Sequence, residues 1–264
     1  MHDDRPYASI LFATVSHETA RGRTAWLSDF TIGVLGLNTA KTLQTWFHNT
    51  IGNDVTPGGW GYQISNGGEP TLKYRATWRH LLATVSLHRP PGLDFAALGG
   101  DARLPRPVLD LTTDIEANAG FYTNLMAGGR LRIGRIDSPF WSAQRHPVVP
   151  TKMKPVAANP RAISEAYVWV SGGGTVWAYN ALLQGQFKHS AVTLPFGAPG
   201  APKYTPLRHL VWDYEWGATV RFGEGACFLK HFGLSYQYTR HAPLFGGPHP
   251  RQHAWGGFYL GIYP

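Results

Sequence analysis

Leu109 to Gly120 reads LDLTTDIEANAG, and its alternation decides the fold. Asp110, Thr112, Asp114, Glu116 and Asn118 fall on one side of an extended chain. Leu109, Leu111, Thr113, Ile115, Ala117 and Ala119 fall on the other, because side chains in a strand alternate between faces. After a tight turn near Gly120, Leu125, Ala127, Leu131 and Ile133 alternate with Asn124, Arg130 and Arg132. A hairpin that keeps like faces together is expected to set Asp110 opposite Arg130, with Arg132 close by. Charges of both signs on one concealed face, with aliphatic residues on the other, point to a polar lumen inside an apolar wall. A soluble sheet with one wet face has a similar pattern, but its apolar face must then meet a second sheet.

Working outward, Pro6–Glu18, Arg23–Gly36, Thr71–Leu87, Ala162–Leu183, His209–Phe222, Phe228–Thr239 and His253–Tyr263 also read as strands. With the hairpin they make about nine. In Ala162–Leu183, Tyr167, Trp169, Trp177 and Tyr179 share one face, and the two Trp are eight residues apart. At about 3.3 Å per residue and a tilt near 40°, that spacing spans roughly 20 Å along a membrane normal. These aromatics are therefore expected to form two girdles on the lipid side. Gly172–Gly174 marks a bend inside that strand.

Composition agrees. Of 264 residues, 31 are Gly, 13% are aromatic and only 15% are charged, a profile that favours strands and turns. No apolar run is long enough for a transmembrane helix, whereas barrel strands need only about 9–11 residues. The mean hydropathy of −0.21 suits such strands. One cysteine, Cys227, excludes an internal disulfide framework. A net charge of +8 favours an anionic partner, but the basic residues are scattered, so phosphate-bearing lipid is expected and nucleic acid is not.

One stretch breaks the β pattern. Asn38 to Asp54, NTAKTLQTWFHNTIGND, reads as a helix with Asn38 as N-cap and Gly52 past its end. Leu43, Phe47 and Ile51 make an apolar stripe, and Gln44 and His48 lie one turn apart beside it. The helix sits in a long insertion, residues 37–70, between two strands. Long structured insertions are usually functional, although a Gln–His pair on a loop helix is also ordinary surface polarity. Elsewhere there is no G-x-S-x-G, no H-E-x-x-H and no Cys/His zinc spacing.

DDRPYA (Asp3–Ala8), SDFTIGVLG (Ser28–Gly36), the helix, and GWGYQISNGGEP (Gly59–Pro70) follow one another in an order and spacing that resemble the LpxR-like lipid A deacylases of Gram-negative outer membranes. The resemblance is dense over the first eighty or so residues and continues as strand pattern. It implies a single transmembrane antiparallel β-barrel over residues 1–264, all-β apart from the helix. The family barrel has twelve strands, so its first strands and a signal peptide are expected to be missing here.

The implied activity is hydrolysis of the 3′-acyloxyacyl ester of lipid A. His48 matches the catalytic base, Gln44 its helix companion, and Asp54 an acidic position implied to bind calcium, which would stabilise the oxyanion. Trp60, Gln63, Glu69 and Pro70 match the return segment, and either shape the groove or brace the insertion. The implied partners are lipopolysaccharide and outer-membrane lipids, and a monomer is expected. Two other readings stay open. One is a channel or structural barrel without chemistry. The other is a soluble lipid- or carbohydrate-binding barrel, which would place aromatics inside and charges outside.

Overall fold

Asp110 is 3% exposed and Asp114 is 1% exposed, whereas Leu111 and Ile115, which follow them along the same strand, are 37% and 46% exposed. The charged face is thus the concealed one and the aliphatic face is open. That arrangement suits a wall with hydrocarbon outside and excludes a soluble barrel of reversed facing.

The computed structural model describes residues 7–51, 60, 63–87, 106–142, 162–187, 207–246 and 252–262. Among these residues nine antiparallel strands form one curled sheet. They are β1 (Ile10–Arg21), β2 (Thr24–Leu35), β3 (Glu69–Leu87), β4 (Arg106–Gly120), β5 (Tyr122–Arg135), β6 (Ile163–Asn180), β7 (Leu210–Phe222), β8 (Phe232–His241) and β9 (His253–Ile262). Each strand pairs with the next, as in a membrane-barrel meander, and among the described residues β1 and β9 are the edges. Helix α1 (Thr39–Ile51) lies in the β2–β3 insertion, and a short α2 (Ala181–Gln184) follows β6.

The lumen is held by ion pairs that cross between strands. Arg75 on β3 pairs with Asp29 on β2, and Arg79 Nε donates to Asp114 Oδ1 at 2.6 Å. Arg132 donates through Nε to both Asp110 oxygens, at 2.9 and 3.0 Å. Its Nη1 also donates to Ser138 Oγ at 2.9 Å, and the Ser138 backbone N–H donates to Glu165 at 3.0 Å. Charges withdrawn from water persist only when paired in this way.

Two expectations need correction. Asp110 pairs with Arg132, and Thr112 with Arg130, so the hairpin is two residues out of the expected register. The cause lies at the turn. Phe121 is buried against Leu35, Ile64, Ala181 and Leu182, so Gly120–Tyr122 belongs to a small core instead of a minimal loop. A shift of two preserves faces, so the charges still meet inside.

The aromatics of β6 are the second correction. Trp169 is 9% exposed, while Val168, Val170 and Val176 are 57%, 48% and 54% exposed. The valines therefore face outward and the aromatics face the lumen. Trp169 lies under the Arg130 guanidinium, 4.5 Å from the ring centroid, and Tyr167 lies 5.3 Å from that of Arg132. These rings serve as cation–π partners for buried arginines. Outward aromatics come instead from other strands, among them Trp26, Trp212, Trp216 and Trp255. On β7 the expected facing holds: Trp212 and Trp216 are exposed, and Asp213 and Glu215 are buried.

Candidate functional site

The insertion is fixed at its base before the helix begins. Gly36 has φ +82, and a Cβ there would lie 1.9 Å from the Ser65 carbonyl oxygen, so only glycine fits. Gly36 N donates to Ser9 O at 2.7 Å, and Gln63 Nε2 donates to Gly36 O at 2.8 Å. The Ser9 hydroxyl lies 2.7 Å from the Leu37 carbonyl and 3.0 Å from Gln63 Oε1, and its one proton serves both. Ser65, at φ 54, donates to Glu69 Oε2 at 2.6 Å. Gln63, Ser65 and Glu69 are buried. The return segment therefore braces the insertion against β1, β2 and β3.

From that base α1 rises directly after Asn38, whose carbonyl accepts from Thr42 N at 3.0 Å. Its half-buried positions are Ala40, Gln44, Thr45 and His48. Gln44 and His48 thus share the face turned toward the protein, as their four-residue spacing implies. Trp60 is 8% exposed, and its Nε1 donates to Gln44 Oε1 at 2.9 Å. Its ring meets Tyr7 edge-on, with centroids 5.0 Å apart. This bond settles the rotation of the Gln44 amide: Oε1 turns to the indole, and the NH₂ remains as a donor. Among the described residues none hydrogen-bonds the His48 imidazole.

Asp54 lies outside the described residues. The other expected site residues are Gln44 and His48, and the helix brings these two together. Sequence reasoning singled out Trp60 but not its bond to Gln44. It missed Ser9 altogether, whose partners lie 28 and 54 residues away with no local signal between them.

A cavity of about 410 Å³ opens in the lumen, lined among others by Asp29, Lys73, Arg75, Asn118, Trp177 and Asp213. Neither Gln44 nor His48 lines it, so the helix site and the lumen cavity are separate places.

The described residues do not by themselves fit a calcium ion. Calcium takes about six to eight oxygens, several from carboxylates. No group of three or more acidic, His or Cys side chains comes together among the described residues. Glu69, at the base of the insertion, accepts from Ser65, and Asp29, in the lumen, is paired with Arg75.

The sequence profile described as "Outer membrane protein LpxR" matches residues 1–263. The chain belongs to the LpxR family. Among solved structures, LpxR from Salmonella typhimurium superposes with a TM-score of 0.68 at 15% sequence identity, over 98% of this chain and 74% of that one. At that identity the likeness speaks for the fold, and the two share a strand architecture. No curated protein matches the chain. Membership in LpxR accounts for the outward apolar wall, since the family resides in the outer membrane.

Trp60→Phe tests the Gln44 anchor. It keeps an aromatic ring and loses one hydrogen bond, worth about 0.5–1.5 kcal/mol. If Gln44 must be held, turnover of the family substrate falls by about 2–10-fold, with no change in heat-modifiable migration of the folded barrel. Unchanged turnover would show that the bond is scaffolding alone.

Proposed function

We propose that the chain is a lipid A 3′-O-deacylase, with His48 as its general base and Gln44 as a donor beside it. The observation that carries this reading is the half-buried Gln44–His48 face of α1, with Gln44 fixed by Trp60. A barrel with no chemistry to perform has no use for a polar helical face held in this way. LpxR-family membership supplies the substrate class.

In this reading the His48 imidazole takes a proton from water as the oxygen adds to the ester carbonyl. The tetrahedral species collapses, and the C–O bond to the sugar 3′-oxygen breaks. The imidazolium returns the proton to that oxygen. The products are the acyloxyacyl acid and a free 3′-hydroxyl. The Gln44 NH₂ donates to the attacking water or to the oxyanion, where charge develops. Trp60 is a positioning residue, because it acts through Gln44.

Calcium belongs to the proposal as a further group and carries no step here. Its ligands would include Asp54 and must come largely from residues outside those described. The test is release of acyloxyacyl acid from purified lipid A by the folded protein, with and without excess chelator. The proposal expects release that stops on chelation and returns with added calcium. Release undiminished by chelator removes the ion from the reaction. No release by a demonstrably folded barrel overturns the enzymatic reading.

A further inference from the structure

Helix α1 is built inside out for a helix bathed in water. Its half-buried face carries Gln44, Thr45 and His48, while Leu43, Trp46 and Phe47 are 64%, 59% and 56% exposed. A helix at an aqueous protein surface turns its apolar stripe to the core. The helix residues are instead as open as Ile32, Leu72 and Trp212 on the outer wall, at 56%, 55% and 64%. Trp46 and Phe47 pack edge-on with centroids 6.3 Å apart, so the exposed surface is one patch.

That patch continues the outer wall. Phe30, Ile32 and Val34 occupy the outward positions of β2, alternating with the buried Asp29, Thr31 and Leu35. Val34 and Leu37 both lie against Gly68, where the strand ends. Leu37 then lines a groove shared with Thr42, Leu43, Trp46 and Gly67. An apolar track therefore runs from β2, across Leu37, to the exposed face of α1. Below Leu37 the wall meets the hydrocarbon of the outer membrane, as family membership requires. The same solvent is the one that suits the track above it.

We infer that α1 lies in the membrane interface, with Leu43, Trp46 and Phe47 inserted among the acyl chains of the leaflet it faces. Trp and Phe on one side of a helix with polar residues on the other are the pattern of interfacial helices. Insertion covers a patch that water would otherwise wet, and it holds the helix from the side opposite Trp60. The Gln44–His48 face is then set at the level of the lipid ester bonds instead of above them. The inference rests on the outer-membrane assignment and stands whether or not the chain is a deacylase.

Label depth tests it. In a Cys227→Ser background, Leu43→Cys and Trp46→Cys carry a nitrobenzoxadiazole probe, with Lys41→Cys and Asn49→Cys as controls on the far side of the helix. The full chain is placed in phosphatidylcholine vesicles whose acyl chains are brominated. Probes at 43 and 46 are expected to be quenched by the bromolipid and shielded from aqueous iodide, and the controls to show the reverse. Equal iodide quenching at all four positions would overturn the inference. So would shielding from both quenchers, because a protein surface, of this chain or a second copy, would then cover the patch. A readout without labels guards against misfolding. The unlabelled chain should lose more Trp emission in bromolipid than its Trp46→Phe variant, and an equal loss in the two contradicts insertion.

Discussion

On the proposed mechanism, replacing His48 with alanine is expected to lower lipid A deacylation by about 10²–10⁴-fold, the usual contribution of a positioned general base. The barrel is expected to stay folded, because His48 sits on α1, outside the nine strands, and makes no hydrogen bond to a described residue. Two readouts separate chemistry from structure. Heat-modifiable migration and strand content remain those of the parent chain, while acid release collapses. His48→Gln should behave like the alanine, since an amide keeps the shape and loses the base. A His48→Ala protein that trims lipid A at the parental rate removes His48 from the reaction.

The largest stability effect lies in the lumen. Asp110→Ala leaves the Arg132 guanidinium buried at 1% exposure without its bidentate acceptor. Ser138 Oγ, at 2.9 Å, still accepts from it but carries no charge. Breaking a buried pair from one side costs about 3–5 kcal/mol, and the lower end is expected here because Glu165 and the Tyr167 ring still act on the surviving charge. Urea unfolding in detergent micelles should show a midpoint lowered accordingly. The double variant Asp110→Leu with Arg132→Met removes both charges and should recover most of the loss. If Asp110→Ala unfolds with the parent, the pair is solvated and the lumen is wetter than its burial implies.

Much of this architecture is legible in the residues alone. Alternation in Leu109–Ala119 separates the charged face from the aliphatic one, and the structure keeps that division on β4, β5 and β7. The count of nine strands and the helix in the β2–β3 insertion also follow from local pattern. Register does not, because the two-residue shift at Asp110 depends on Phe121 joining a core with Leu35, Ile64 and Leu182. Those partners are distant in the chain.

The β6 aromatics show a different limit. Their spacing matches girdles, but spacing is silent about which face is wet. The deciding residues are the intervening Val168, Val170 and Val176, together with Arg130 and Arg132 on β5, which need the rings as partners. At the helix, the Gln44–His48 pair is visible at four-residue spacing. Its anchor is a tertiary contact from Trp60, 16 residues on, that no periodicity encodes. The apolar stripe of α1 was legible as a stripe, and its outward aim was not, because only the orientation of the helix on the barrel sets it.

The measurement that bears most directly on this account is the tandem mass spectrum of lipid A after incubation with the folded chain. The expected product is lighter by one acyloxyacyl group, with the loss placed at the 3′ oxygen and the 2′ amide-linked chain intact. Unaltered lipid A in the presence of a folded barrel, or loss from another position, would contradict it.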